Sequence, residues 1–359
     1  MKVNITTALV LMCISTLQAT GGGTGPFVLP YAFVSLNLQQ DTSADPDSLL
    51  RQAYAIKSQG KREEARPLFE KLMQDYPRTT VGVEARWMVA YYRLNDRQFD
   101  EAQRLFQQVA DDPLAKPDIA AEALLQTGFV YLSRFWAQPP VSGEERYKLL
   151  ESAKTRLLQI ARNLSARTDE VGRTAAAYAL LGVGEACSYQ GDPFGAEKHY
   201  RTIVSMKEGV SPVVLAQAWY GLGVSLYRQR RYGEALEAFE VVKQFGESGE
   251  GMVLRALALG NALPERAWLW QGAIWAHLGY PDRSVAALEQ GVNRPERLAG
   301  KRNSLLLAQA QRSLEGMRQV LARRQEQERN MAEAKRLAQQ LELAPMTAAS
   351  SSQVPLPEK

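Results

Sequence analysis

The chain has 359 residues, of which 45% are hydrophobic and 23% are charged, a balance typical of a folded protein with a large buried core. Its 43 basic and 39 acidic residues leave a net charge of only +4. Such a balance provides no overall basic field, so we expect no nucleic-acid partner.

The first 19 residues predict an export signal. Lys2 supplies a short positive segment, and residues 5–17 form an apolar run that is too short to cross a bilayer comfortably. Cleavage after Ala19 leaves Leu17 where a small side chain is preferred, so an uncleaved amino-terminal anchor stays an alternative. The segment predicts a periplasmic protein, with a secreted or membrane-anchored protein as the alternatives.

The two cysteines predict no intramolecular disulfide. Cys13 lies inside the apolar run, and the residue before it is not the small one that a lipoprotein signal needs. Removal of the signal leaves Cys187 alone, so the stability of the mature protein must come from packing.

The rest of the chain divides into a leader and a helical body. Residues 20–45 are rich in Gly, Ser, Thr and Gln and predict a flexible leader, with an apolar stretch at residues 27–38 that Pro30 interrupts. From Pro46 onward, apolar residues recur at spacings of three and four, which predicts helices throughout.

Self-similarity is the most informative feature of this body. The clearest copy covers residues 216–249, where a first helix with small residues at a close crossing precedes a second helix that begins at an Ala and carries a large side chain one turn later. The positions that define it are Trp219, Leu222, Gly223 and Leu226, then Ala235, Phe239 and Val242. This pattern resembles the tetratricopeptide repeat.

About six copies fit the same pattern across residues 46–297, and the resemblance implies an all-α, tetratricopeptide-type solenoid of helical hairpins. One copy needs an insertion at residues 134–146, which predicts an exposed loop. In the copy near the carboxyl end of the array, Ser284 replaces the usual Ala.

The first two copies also look like the repeats of bacterial cell-envelope proteins. They share a pattern that ends in Tyr76 and Pro77 and continues with Ala85 in the next helix. This likeness implies an envelope setting.

Beyond the array, residues 298–343 predict one long polar helix that caps the solenoid with its first part and projects into water with the remainder. Residues 344–359 contain consecutive Ser350, Ser351 and Ser352 and predict a disordered tail.

No pattern in the sequence predicts catalysis, a metal site or a cofactor. His199 and His277 lie in different repeats without partners at ligand spacing, and residues 21–25 and 246–251 lack the strand, turn and helix of a nucleotide site. We therefore expect a protein that is not an enzyme and that binds no cofactor.

The resemblance implies that partners bind along the concave face of the first helices. The repeat register places an aromatic and mostly uncharged set of side chains there, and the lysines and asparagines that chaperone-binding relatives use to hold a carboxylate are not among them. An alternative is that neighbouring helices or the leader cover these residues. The predicted partner-binding residues are Tyr54, Trp87, Tyr91, Leu125, Phe129, Leu181, Tyr220 and Tyr227.

Two functions follow as hypotheses. The first is a non-enzymatic periplasmic scaffold that binds envelope proteins through the superhelical groove and assists the assembly of envelope complexes. The second is a structural or regulatory subunit of an envelope polymer or transport machine, which docks to membrane or peptidoglycan through the basic carboxyl-terminal helix. The pattern predicts no oligomeric state.

Overall fold

The computed structural model describes residues 45–137, 142–167, 169–206, 209–247, 263–293 and 301–343. The predicted export signal, all of the leader except its last residue, and the predicted tail lie outside these residues. All regular secondary structure in the described ranges is helical, which confirms the all-α prediction. The helices are α1 (Pro46–Ser58), α2 (Arg62–Asp75), α3 (Thr80–Asn95), α4 (Phe99–Ala110), α5 (Pro117–Ala137), α6 (Gly143–Ser165), α7 (Glu170–Tyr189), α8 (Pro193–Ser205), α9 (Pro212–Arg228), α10 (Tyr232–Glu247), α11 (Leu263–His277), α12 (Pro281–Val292) and α13 (Lys301–Leu343).

The helices pair in sequence as six hairpins, α1 with α2 through α11 with α12, and each hairpin packs against the next. This arrangement confirms the predicted helical-hairpin solenoid. None of the helices in the described ranges combines the length and the apolar character that a bilayer crossing requires.

Side-chain caps and tight turns set the ends of the helices. The Asp45 carboxylate accepts hydrogen bonds from the first backbone N–H groups of α1, and Thr79 does the same for α3. In five hairpins the turn between the two helices contains one residue in the left-handed region, at the same repeat position each time. Its φ values are +82° at Gly60, +62° at Arg97, +78° at Gly191, +62° at Arg230 and +79° at Gly279.

In four of the six hairpins, the crossing pairs a glycine of the first helix with a large side chain of the second. A Cβ atom added to Gly184 would lie 2.6 Å from the Tyr200 ring, and one added to Gly223 would lie 2.8 Å from the Phe239 ring. Both rings are fully buried. The ring therefore fits only because the glycine has no side chain, which explains the small residue that the repeat pattern requires.

The first residues of the second helices explain the other small position. Ala196 and Ala235 are fully buried where the two helices touch. In the last hairpin, Ser284 takes this place, and its hydroxyl donates a hydrogen bond of 2.8 Å to the Gly272 carbonyl. The serine is therefore accommodated because its hydroxyl finds an acceptor within the crossing.

In the third hairpin, the prediction of a loop at residues 134–146 is wrong for residues 134–137 and 143–146, which are helical, and residues 138–141 of that prediction lie outside the described part. Helix α5 continues to Ala137 and α6 begins at Gly143, so most of the added residues extend the hairpin. Phe135 lies 5.2 Å from the Tyr189 ring of α7, and the Arg146 guanidinium lies 4.8 Å from the Phe135 ring. The described residues of the insertion are stabilised as helix because its aromatic residues pack on the next repeat.

Helix α13 packs on the last hairpin through its early part. Ala310 and Leu314 are buried against Leu269 of α11 and Leu288 of α12. The Leu305 side chain lies outside the described part. Residues 322–340 are all exposed, so this length of the helix extends from the solenoid.

The crossing at Gly184 generates a stability prediction. Gly184→Ala places a Cβ against the Tyr200 ring and should lower the free energy of unfolding by about 1–3 kcal/mol. Gly233→Ala is the matched control because its Cβ meets nothing within 4 Å. Alanine is also the better helix former, so this control should be neutral or stabilising by up to ~1 kcal/mol. Urea unfolding measures both values, and equal stability of the two variants would contradict the packing described here.

Candidate partner-binding site

The first helices of the hairpins form one continuous layer. In addition to its own second helix, each first helix contacts the first helix of the next hairpin, from α1 and α3 through to α9 and α11. In a curved array, elements on the inner side lie closest together. The first-helix layer is therefore the concave side, where the sequence predicted partner binding.

The structure places five of the eight predicted partner-binding residues inside the protein, so the expectation of an open aromatic lining is wrong for them. Tyr54, Tyr91 and Tyr227 are half-buried and reach the surface. For these three residues, contact with a partner stays a prediction. The buried five are Trp87, Leu125, Phe129, Leu181 and Tyr220.

The neighbouring first helices explain this burial. The Tyr220 hydroxyl accepts a hydrogen bond of 2.8 Å from the Trp270 indole, and the Arg266 guanidinium lies 4.9 Å from the Tyr220 ring. Trp87 belongs to one buried cluster with Ile119 and Ala123 of α5, and it packs edge-on against Tyr91 of its own helix, with ring centroids 5.4 Å apart. Truncation of Trp87 or Tyr220 would therefore remove core packing, so it would test folding and not partner contact.

Polar side chains buried on the same helices were not among the predicted site residues. They belong to α5, α7, α9 and α11, which are otherwise largely apolar. The sequence signal is a charged or amide residue inside such a helix, with Glu122 and Gln126 spaced by four so that they share one face. The buried set is Glu122, Gln126, Glu185, Gln217, Glu265, Arg266 and Gln271.

Glu122 is the centre of the best-defined polar contact between two first helices. Its Oε1 accepts a hydrogen bond of 2.7 Å from the Tyr91 hydroxyl of α3 and another of 2.7 Å from the Gln126 amide. Its Oε2 is buried and accepts none from the described residues. One carboxylate oxygen is thus satisfied and the other is not.

Burial changes the protonation of this group. It raises the pKa of Glu122 from the ordinary 4.5 to about 7, although the hydrogen bonds from Tyr91 and Gln126 act in the opposite direction. The carboxyl group is therefore close to half-ionised at neutral pH. A group so poised responds strongly to any charge that arrives beside it.

Gln217 of α9 is a second unsatisfied group in the layer. It is fully buried, and neither its amide oxygen nor its amide nitrogen has a hydrogen-bond partner among the described residues. An amide buried with both ends unpaired carries a free-energy cost, so this position lowers the stability of the layer.

Aromatic rings connect the interior to the surface near the carboxyl end of the layer. The Trp270 ring lies 5.0 Å from Tyr227, Tyr227 lies 5.7 Å from Tyr232, and Tyr232 lies 4.9 Å from the exposed His277. Rigid amphipathic side chains of this type are common at protein interfaces.

The described residues contain no group of three or more His, Cys, Asp or Glu side chains arranged to hold a metal ion. His199 lies on α8, where burial lowers its pKa, and His277 lies on α11. The polar chemistry of the layer is that of hydrogen bonding and charge pairing.

Comparison with known proteins identifies two of the hairpins. Residues 47–79 and residues 216–244 each match a model described as a tetratricopeptide repeat, and they correspond to the first and fifth hairpins. No curated protein sequence matches the chain. A solved structure from a functional characterisation of Pseudomonas aeruginosa pilF is 13% identical and covers 74% of this chain and 97% of its own, with a TM-score of 0.46. A match at this TM-score supports no further inference.

The chain contains tetratricopeptide repeats. Two of its hairpins match the repeat in sequence, and the other hairpins repeat their helix order and crossings. Repeats of this kind are protein-interaction modules, so the chain is a protein-interaction scaffold.

The buried Glu122 generates a prediction about pH. Because its pKa is raised on folding, the group leaves stability unaffected below about pH 4.5 and lowers it progressively as the pH rises to about 7. Glu122→Gln has no proton to lose, so its stability relative to wild type should increase by about 3 kcal/mol between pH 4.5 and pH 8.

Urea unfolding of wild type and variant at several pH values measures this difference. Glu144→Gln, which removes a largely exposed carboxylate, is the control and should show no such trend. A difference between wild type and Glu122→Gln that stays constant with pH would show that Glu122 is not buried as described.

Proposed function

We propose that this protein is a non-enzymatic scaffold of the bacterial periplasm, which holds envelope proteins on its first-helix layer during complex assembly. The proposal rests on the first-helix layer, where half-exposed tyrosines lie beside buried polar groups that lack hydrogen-bond partners within the described residues. Such a surface has both anchors and hydrogen-bonding capacity to offer to another chain.

The setting in the envelope is supported by the sequence. The first 19 residues have the charge and apolar pattern of an export signal, and the first two repeats resemble those of bacterial envelope proteins around Tyr76 and Pro77. Amino-terminal sequencing of protein from the envelope fraction tests this part of the proposal. A mature chain that still begins at Met1 and stays in the cytoplasm would contradict it.

The part of the layer left open for a partner is visible on α11. Arg266 and Trp270 both contact Tyr220 of α9, and Ala273 lies one further turn along the same face. Ala273 is exposed, so this face is accessible at that position. Ala286 of α12 is also exposed but belongs to the second helix of the same hairpin.

These two alanines provide a matched test of the function. Ala273→Arg places a long charged side chain on the first-helix layer and should reduce partner recovery at least about tenfold, because it blocks contact there. Ala286→Arg makes the same change on the second helix and should leave recovery unchanged. The measurement is affinity purification from envelope extracts followed by quantitative mass spectrometry, with circular dichroism to verify folding. Equal recovery by both folded variants would contradict binding at this layer.

A second function, docking of α13 to membrane or peptidoglycan, is favoured by one observation. Residues 322–340 are exposed and contain five basic and three acidic residues, so the projecting helix has a net positive charge. A chain that ends at Leu321 keeps the contacts of Leu314 with the last hairpin. If this function is correct, the shortened chain should lose sedimentation with anionic vesicles or with peptidoglycan, while the full chain retains it. Equal sedimentation of both chains would exclude it.

A further inference from the structure

Four carboxyl groups lie along α1, α3 and α5, the first helices of hairpins one to three. Asp47 belongs to α1, Glu84 to α3, and Asp118 and Glu122 to α5; we call these four residues the acidic strip. Lys116 Nζ donates a hydrogen bond of 2.7 Å to Glu84. That bond raises the pKa of Lys116, and the negative charges of Asp118 and Asp47 act in the same direction. One amine therefore lies within the influence of three carboxylates of the strip.

Two oxygens of the acidic strip are buried without a hydrogen bond. Asp118 Oδ2 and Glu122 Oε2 have no donor among the described residues, and the two side chains are one helical turn apart on α5. Glu122 is only 3% exposed. The Trp87 indole N–H, on the helix that supplies Tyr91, is also buried without an acceptor. These unsatisfied groups lie where α3 and α5 face each other.

A carboxylate buried without a counter-charge is unfavourable, and a cation within hydrogen-bonding distance offsets part of that cost. Glu122 has two neutral donors, Tyr91 and Gln126, on one oxygen and no charged partner on the other. Oε2 therefore lacks a partner in both protonation states, and the carboxylate form lacks a counter-charge as well. The missing component is a positive charge.

We propose that Asp118 and Glu122 form the anchor site for a lysine or arginine side chain of a partner protein. The rest of the acidic strip guides a basic segment of that partner along α1, α3 and α5. This inference rests on the proposed scaffold function and specifies the chemistry of the partner. The charge of the strip selects against an acidic segment or a free carboxylate terminus.

The occupant is argued from charge and from access. Asp47 is exposed and Asp118 and Tyr91 are half-buried, so the strip runs from the surface to the buried Glu122. Residues 20–44 contain no Lys, Arg or His. The leader therefore has no cationic side chain to place there, and a partner protein supplies the charge.

Fluorescence anisotropy with a labelled peptide tests the proposal on the full mature chain. The probe is four repeats of Lys-Gly-Ser, and peptides with Gln or Glu in place of Lys are the controls. At neutral pH and about 0.15 M salt, where longer-range attraction is screened, the basic peptide should bind and the other two should not.

Three variants locate the binding. Glu122→Gln and Asp118→Asn should each weaken binding of the basic peptide at least about tenfold, because each removes a buried charge that the cation meets. Glu144→Gln removes one negative charge from an exposed site on α6 and should change the affinity less than twofold. Circular dichroism shows whether each variant is folded, and Asp118→Asn keeps the test valid if Glu122→Gln does not fold.

The outcomes separate this inference from the scaffold function. If Ala273→Arg abolishes partner recovery but the basic peptide binds wild type and Glu122→Gln equally, the scaffold function stands and the anchor is wrong. Equal weakening by Glu144→Gln would attribute the binding to general surface charge and would also overturn the anchor. Self-association that depends on Glu122, without peptide binding, would replace the partner protein with a second copy of this chain.

Discussion

The fold depends on one contact that is repeated along the chain, a large side chain of the second helix packed on a small residue of the first, which is glycine in four of the six hairpins. The Tyr200 ring illustrates it best, because Gly184 of its own hairpin and Gly221 of the next both lie against it, and a Cβ on either would come within 2.6 Å of a ring atom. The Tyr200 ring therefore sets both the helix crossing within its own hairpin and the distance between that hairpin and the next. A substitution that displaces this ring should also displace the next hairpin, since each hairpin packs on the one before it.

Close packing of the hairpins also determines the chemistry of the concave side. The first helices lie near enough to contact one another, so the large side chains that point between them become core. Tyr220 and Trp87 are examples. Polar groups trapped in the same layer, such as Glu122 and Gln217, then keep unsatisfied hydrogen-bonding capacity. The concave side is therefore less open than a row of exposed aromatic residues would be.

The ends and the irregular third hairpin show how the array accommodates exceptions. Added residues in that hairpin lengthen two helices, and Phe135 and Trp136 pack on Tyr189 of the next repeat. At the carboxyl end, Ala310 and Leu314 cover the last hairpin, after which α13 extends with an exposed, polar surface. Both features add surface without changing the crossings that hold the repeats together.

The sequence alone determined the helices, their pairing and the positions of the crossings. These features are local: Gly223, Ala235 and Phe239 lie within one repeat, and the size of each side chain already specifies how two successive helices meet. Whether Tyr220 or Trp87 is open to a partner was decided only by the tertiary structure, because the answer depends on the distance to a helix about 50 residues away in the case of Trp270. The same holds for Glu122, whose raised pKa arises from burial between α3 and α5, and for the insertion, whose helices are stabilised by contacts with the next repeat. The repeat pattern depends on residues close together in the sequence, whereas the burial of a side chain depends on how separate repeats pack against one another.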